Sequence, residues 1–244
     1  PRILFDSESR INIKPQKRNV GYLFQNYALF PAMTVEENIA AGIKGNKAER
    51  KRRVREMTER FRLAGLEKRL PGELSGGQQQ RTALARIMAY EPEMILLDEP
   101  YTALDGFLRD RLEQELLTML DDYQGTAILV SHNRDEIYRF SEDLLIMEDG
   151  KAAVFGKSKD IFENPRKIAA ARLTGCKNIS RVEILNPHSM RALDFGITLH
   201  TVREIPGDTS AVGFRAHEFV PIWGKRQKNC IRVQVESRAE LPFE

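Results

Sequence analysis

Cysteine is scarce. Cys176 and Cys230 are the only two in the chain and stand far apart, which excludes a disulfide framework and a thiolate metal cluster and suits a reducing compartment. Long apolar runs are missing as well: no window approaches the roughly 18 consecutive apolar residues of a bilayer-spanning helix. No basic-then-apolar secretory leader is read at the start, where Pro1 falls in what reads as the middle of a domain. Charge of one sign is also lacking. With 38 Lys and Arg against 35 Asp and Glu the net charge is +3, so nucleic acid is not an expected partner. What remains is ordinary globular composition, 41% hydrophobic and 30% charged over 244 residues, enough for one large domain or two smaller ones.

The pattern along the chain alternates. Residues 20–23 are a short apolar run, and Thr34-Val35-Glu36-Glu37 has the spacing of a capping box that opens a helix carrying Ile39 and Ala40. Residues 47–64 predict a second helix, with Val54, Met57, Phe61 and Ala64 on one stripe and Gly65 as its stop. Its basic face, "KAERKRRVREMTERFR", reads as solvated rather than as a nucleic-acid patch, because Glu49, Glu56 and Glu59 interleave with the cations. "GELSGGQQQRTALARIM" at 72–88 then gives a third helix, with Leu84, Ile87 and Met88 on one face. Two buried-strand runs follow, "MILL" at 94–97 and "TAILV" at 126–130, separated by an amphipathic helix over 107–123 with Leu108, Leu112, Leu116, Met119 and Leu120 inward. A further run, "LLIM" at 144–147, completes an alternation that predicts an α/β fold with a mostly parallel sheet. Asp149-Gly150 turns the chain into "KAAVF", a hairpin.

Beyond residue 157 the texture changes. Residues 158–172 read as a helical linker broken at Asn164-Pro165. From Thr174 short β-type runs ("SRVEIL", "RALDF", "ITLHTV", "AVGFRAHEFV", "IRVQVES") alternate with turn signals, predicting a small β-domain of barrel type with its boundary near residue 173.

The chemistry is expected at strand ends, because ligands of open α/β sheets bind beyond the carboxyl ends of the strands. Two buried runs end in Asp98-Glu99 and in Ser131-His132, so these side chains are expected on one edge. A carboxylate at such a strand tip suits Mg²⁺ on nucleotide phosphates, and Glu99 beside it suits a general base; exposed acids in an ordinary loop are the simpler alternative. The helix opening at Ser75, Gly76 and Gly77 is a second candidate. A helix start presents unpaired N–H groups and partial positive charge, and two glycines let backbone approach a phosphate closely. An ordinary serine cap would not need two glycines just inside it.

Five segments in order then resemble the ATP-binding cassette (ABC) ATPases of membrane transporters. They are Gln25 within "GYLFQNYALFPAMTVEENI" (Q-loop), "LSGGQ" at 74–78 (signature), "MILLDEP" at 94–100 (Walker B), "ALD" at 103–105 (D-loop) and His132 in "LVSH" (switch histidine). The resemblance implies a nucleotide-binding domain over residues 1–156, with a helical subdomain at about 34–90, and ATP and Mg²⁺ as cofactors. It implies a head-to-tail dimer with a second copy of the ATPase subunit. Ser75, Gly76, Gly77 and Gln78 would face the γ-phosphate held by that copy. Asp98 and Gln25 would serve Mg²⁺, Glu99 would be the catalytic base, and His132 would grip the γ-phosphate side. Asp105 would link the two sites. Transmembrane permease subunits, and indirectly a solute-binding protein, are the further implied partners, at the cytoplasmic face of the membrane.

One part of that pattern is missing. The chain holds no Gly-x-x-x-x-Gly-Lys-Ser/Thr; its Gly156-Lys157-Ser158 has Lys151 where the first glycine belongs and follows Walker B instead of preceding the Q-loop. The expectation is therefore an N-terminally truncated chain, inactive alone. "TGCKNIS" at 174–180 and "VGFRAHEF" at 212–219 resemble the oxyanion-importer branch, the molybdate type with its regulatory barrel over 174–244 above all. Sulfate, iron, polyamine and sugar import are the rivals, and the barrel reads as a dimerisation or docking module or an anion sensor. A cassette protein of DNA repair or chromosome architecture would need a long coiled coil between Gln25 and the signature, for which the stretch is too short. A pure anion-binding module is the remaining alternative.

Overall fold

Three short apolar strands make the sheet that positions the candidate residues: β3 (Val20–Leu23), β4 (Met94–Asp98) and β5 (Thr126–Val130). They pair in parallel in the order β3-β4-β5, with Tyr22 opposite Leu96 and Asp98 opposite Val130. The computed structural model describes residues 2–101, 106–121, 123–225 and 227–234, and the chain divides into two compact units, Pro1–Ser141 and Glu142–Glu244.

In the first unit a short hairpin, β1 (Phe5–Asp6) with β2 (Ile11–Asn12), precedes β3. Helix α1 (Val35–Ala40) opens with the expected capping box, Thr34 Oγ1 accepting from the Glu37 N–H and the Glu37 carboxylate from the Thr34 N–H. Helix α2 (Lys47–Arg60) is capped likewise by Asn46 and Glu49, but it ends before Ala64, which is exposed. Its stop is not Gly65. Arg62, at φ +53, takes the left-handed position, and the Leu63 N–H reaches back to the Thr58 carbonyl at 2.9 Å, a Schellman closure. That turn sends both Phe61 and Leu63 into the core, each fully buried.

Helix α3 (Gly76–Met88) runs back across the sheet. It lies so close that a Cβ on Gly21 would stand 2.3 Å from Ile87 Cγ2, which explains glycine in the middle of β3. Leu23, Ile39, Met57, Phe61, Ala83, Ile87, Ile95 and Leu97 form the shared core. Helix α4 (Gly106–Asp121) and helix α5 (Arg134–Phe140) complete this unit; Leu116 of α4 is buried, whereas the side chains of Leu108 and Leu112 lie outside those described.

The second unit opens with β6 (Asp143–Glu148) and β7 (Lys151–Lys157). They form the expected hairpin, with Asp149 and Gly150 left-handed at the turn. Contrary to expectation, β6 is not a further parallel strand: among the described residues it pairs with β7 alone, antiparallel, because the two-residue turn supplies its partner at once. Helices α6 (Ser158–Glu163) and α7 (Ile168–Leu173) flank the break at Asn164-Pro165 and lie in the same unit. Arg215 ties them in, donating to the Phe162 carbonyl and to Thr174 Oγ1. The β-runs become β8 (Asn178–Asn186), β9 (Ser189–Ala192), β10 (Ile197–His200) and β11 (Ala211–Phe214). Their sheet has the order β10-β9-β8-β11 and is open; no closed barrel forms among the described residues. Of "IRVQVES", residues 231–234 carry no regular structure and the rest lies outside the described residues.

Candidate functional site

The parallel register does what the strand ends predicted. With β3, β4 and β5 aligned, their carboxyl ends open on one edge. Asp98 is the last residue of β4 and Glu99 follows it; Ser131 and His132 follow β5. Glu99 is left-handed, φ +43, and its N–H donates to the Val130 carbonyl at 2.9 Å. The bend thus occurs while the backbone is still tied to β5. It brings Glu99 Oε1 within 2.8 Å of His132 Nδ1. With its proton on Nδ1, the imidazole donates to the carboxylate. His132 is largely exposed, its side chain at 74%, and Glu99 less so, at 29%.

The turn that carries His132 is held from below. The Ser131 hydroxyl bonds the carboxylate of Glu136, which is buried, and accepts from the Asn133 N–H at 3.0 Å. Asn133 in turn caps α5. On the other side of the edge the Tyr22 hydroxyl donates to Asp98 Oδ2 at 2.9 Å. That hydrogen bond to a carboxylate raises the Tyr22 pKa above the ordinary phenol value. Asp98 keeps its second oxygen for another ligand.

Ser75 caps α3. Its hydroxyl accepts from the Gln78 N–H, and the Gln78 side chain accepts from the Ser75 N–H at 2.9 Å. Gln78 is therefore engaged as the reciprocal half of a capping box. Gly76 and Gly77 form the first turn, with Ser75 and Gly76 exposed and Gly77 buried. Gln25 is exposed in the loop after β3. Asp105 lies outside the described residues. Among the described residues no hydrogen bond joins Ser75, Gly76 or Gly77 to Asp98, Glu99 or His132. The structure brings Glu99 and His132 together beside Asp98 at the end of β4.

Several residues here had escaped the sequence reading. Gln80 of α3 is buried and its amide donates to the Pro100 carbonyl at 3.2 Å, tying the helix to the loop after Glu99. Asn38 of α1, fully buried, accepts from the Phe30 N–H and donates to the carbonyls of Phe30, Met33 and Thr34. Arg86 of α3 donates to the carbonyls of Tyr27 and Ala28. None follows from periodicity, and only the run of polar residues inside an otherwise apolar helix face hinted at Gln80.

The carboxylate of Asp98 at the end of β4 is the kind of oxygen donor that suits a hard divalent cation such as Mg²⁺. Among the described residues there is no group of three or more His, Cys, Asp or Glu able to hold a metal unaided.

Comparison with known proteins gives consistent results. Residues 2–102 match the family model described as ABC transporter. The chain is 42% identical over 171 residues to the sulfate/thiosulfate import ATP-binding protein CysA 1 of Agrobacterium fabrum, covering 67% of this chain and 49% of that protein. It is 33% identical over 246 residues to the sulfate/thiosulfate import ATP-binding protein CysA of Thermosynechococcus vestitus, covering 98% and 71%. Other relatives are named for Fe(3+) import and for spermidine/putrescine import. The chain is similar to the dimeric post-hydrolysis structure of the ATP-binding cassette MJ0796 bound to ADP and Pi, with TM-score 0.51, 29% identity, and coverage of 63% of this chain and 68% of that one. The chain spans about half the length of the first curated relatives that it matches.

Proposed function

Because this chain belongs to the ABC transporter family, we propose that it is part of the ATP-hydrolysing subunit of an importer. The observation that supports this reading best is the cluster at the sheet edge. A carboxylate at a strand tip, a second carboxylate one residue on, and a histidine from the next parallel strand 2.8 Å from the latter are assembled on rigid backbone.

In this reading Asp98, steadied by Tyr22, and Gln25 would hold Mg²⁺, which when bound would neutralise charge on the phosphates of ATP. Glu99 takes the proton of the attacking water. His132 orients Glu99 and contacts the γ-phosphate as charge builds there. The start of α3, with Ser75 and Gly76 exposed and Gly77 buried behind them, faces the γ-phosphate held by a second copy of the subunit. The grip on the remaining phosphates, a P-loop in this family, is not supplied by a Gly-x-x-x-x-Gly-Lys-Ser/Thr within these 244 residues. We assign residues 1–156 to the nucleotide-binding domain, 157–173 to a linker, and 174–244 to a small regulatory or docking β-domain. The subunit sits on transmembrane permease subunits at the cytoplasmic face of the membrane, served indirectly by a solute-binding protein. Among the described residues no helix is long and apolar enough to cross a membrane.

The solute class favoured is a tetrahedral oxyanion. Two of the relatives are named for sulfate/thiosulfate import, and the short segments at 174–180 and 212–219 resemble the molybdate type. The Fe(3+) and polyamine names of other relatives keep those cargoes as the second reading. Uptake of labelled sulfate, molybdate, Fe(3+) and spermidine by cells with and without the gene separates them.

The mechanism is tested with a chain extended to carry a P-loop. ATP turnover appears there and is absent from the 244-residue chain. Glu99→Gln lowers it roughly 10²–10⁴-fold, the usual contribution of a positioned base, while ATP-driven pairing persists. Replacing Gly76 by valine abolishes the pairing. Undiminished turnover in Glu99→Gln removes Glu99 from the reaction.

A further inference from the structure

Tyr27 and Ala28 are consecutive left-handed residues, at φ +61 and +42. Neither is glycine, and L-residues with a Cβ rarely adopt this conformation. Something must hold the turn, and its surroundings identify the holder. Arg86, in the last turn of α3, donates from Nη1 to the Ala28 carbonyl at 2.7 Å and from Nη2 to the Tyr27 carbonyl at 3.0 Å. Its guanidinium also lies 5.2 Å from the centre of the Phe30 ring, within cation–π range. One planar, bidentate cation thus spans the two strained peptides and the ring that follows them. Burial lowers the Arg86 pKa from its ordinary value.

The far end of the same loop is fixed separately. Asn38 holds Phe30, Met33 and Thr34 through their backbone. Between these two anchors the loop has little slack. On its other side lie Asn26 and the exposed Gln25, two and three positions before Ala28.

We propose that Arg86 is a positioning residue that locks the left-handed Tyr27-Ala28 turn and so sets where the loop carries Gln25. Arg86 is ten residues along α3 from Gly76, about 15 Å at the helical rise. The helix that starts at the glycine cradle is therefore the element that grips the Gln25 loop, and a displacement of one end reaches the other through a single rod. This rests on the reading of Gln25 given above only in assigning that side chain a task. The conformational claim stands or falls without nucleotide.

The experiment uses the 244-residue chain and backbone ¹³C chemical shifts, which report left-handed residues directly. In the unsubstituted chain Tyr27 and Ala28 show left-handed shifts. Arg86→Met removes them and speeds amide exchange at residues 26–29 by roughly ten- to a hundredfold, the range for losing charge-assisted hydrogen bonds; the resonances of α1 and β4 stay in place. Arg86→Lys retains part of the shift. The decisive variant is Arg86→Met combined with Ala28→Gly. Glycine accepts positive φ without strain, so position 28 regains the left-handed conformation without the arginine and the Gln25 amide resonances return toward their original positions. A residue that merely packs α3 against the sheet would move helix and sheet resonances together, and glycine at position 28 would not restore them. Left-handed shifts that survive Arg86→Met, or a double variant that fails to recover, overturn the proposal. Should Arg86→Met not fold, Arg86→Gln and Arg86→Lys give the same comparison with one donor arm lost at a time. ATP turnover in the extended chain tests the functional reading independently.

Discussion

At the scale of single residues, the close approaches and the paired charges decide what can be changed. Gly21 has no room for a side chain, since a Cβ there would sit 2.3 Å from Ile87 Cγ2. Gly21→Val forces α3 off the sheet, and overpacking of this kind costs about 1–3 kcal/mol; urea unfolding followed by far-UV circular dichroism reads it. Asp194 is the clearest acid-sensitive group. Hydrogen bonds from the Arg181 guanidinium and from its backbone N–H hold the carboxyl pKa down to about 2. A depressed carboxyl pKa contributes stability that is complete above the unfolded value, about 4, and is lost as pH falls through the folded one. The second unit should therefore lose stability between about pH 4 and pH 2, and Asp194→Asn should flatten the urea midpoint over that window. A midpoint of the variant that falls as steeply as the original excludes Asp194 as the source.

At the scale of elements, Asn38 shows how a single buried side chain substitutes for secondary structure. The loop from Phe30 to Thr34 runs without a partner strand, and Asn38 supplies one acceptor and three donor contacts to its backbone. Asn38→Leu is close in size but takes the side-chain partner from the Phe30 N–H and the Met33 carbonyl, while the Phe30 and Thr34 carbonyls keep their backbone N–H donors, so a loss of roughly 2–4 kcal/mol is expected, with thermal unfolding as the measure. The same comparison shows what a sequence makes visible. Thr34 with Glu37, and Asp149 with Gly150, are local signals, and both appear as read. So does the convergence of Asp98, Glu99 and His132, because parallel strands that end in chemistry must end on one edge. The end of α2 was misplaced for the opposite reason: Arg62 fills the left-handed position where a glycine is the usual signal. β6 was grouped with the parallel strands because a buried apolar run does not announce the direction of its partner. Tyr22 on Asp98 and Arg86 on Tyr27 join residues 76 and 59 positions apart, and no pattern along the chain encodes such a pairing.

At the scale of the whole molecule the question is what the uncovered surfaces meet. Among the described residues β5 pairs with β4 and with no other strand. Its free side therefore offers backbone N–H and C=O groups, and Ile128 and Val130 are 45% and 55% exposed. The strand, "TAILV", has none of the lysines, prolines or bulges by which edge strands usually avoid pairing with copies of themselves. The 244-residue chain is accordingly expected to associate with rising concentration, seen as a growing sedimentation coefficient. Ile128→Lys places a charge on that edge at little cost to the fold, because the side chain is already half in solvent, and should return the chain to monomer. An extended chain that lays its own strand along β5 would lose the tendency without the substitution, and in that chain Ile128→Lys would instead destabilise. The sign of the Ile128→Lys effect on stability, neutral in one chain and costly in the other, thus reports whether an added P-loop segment completes the sheet at β5. A strand that docks elsewhere would leave the two chains responding alike.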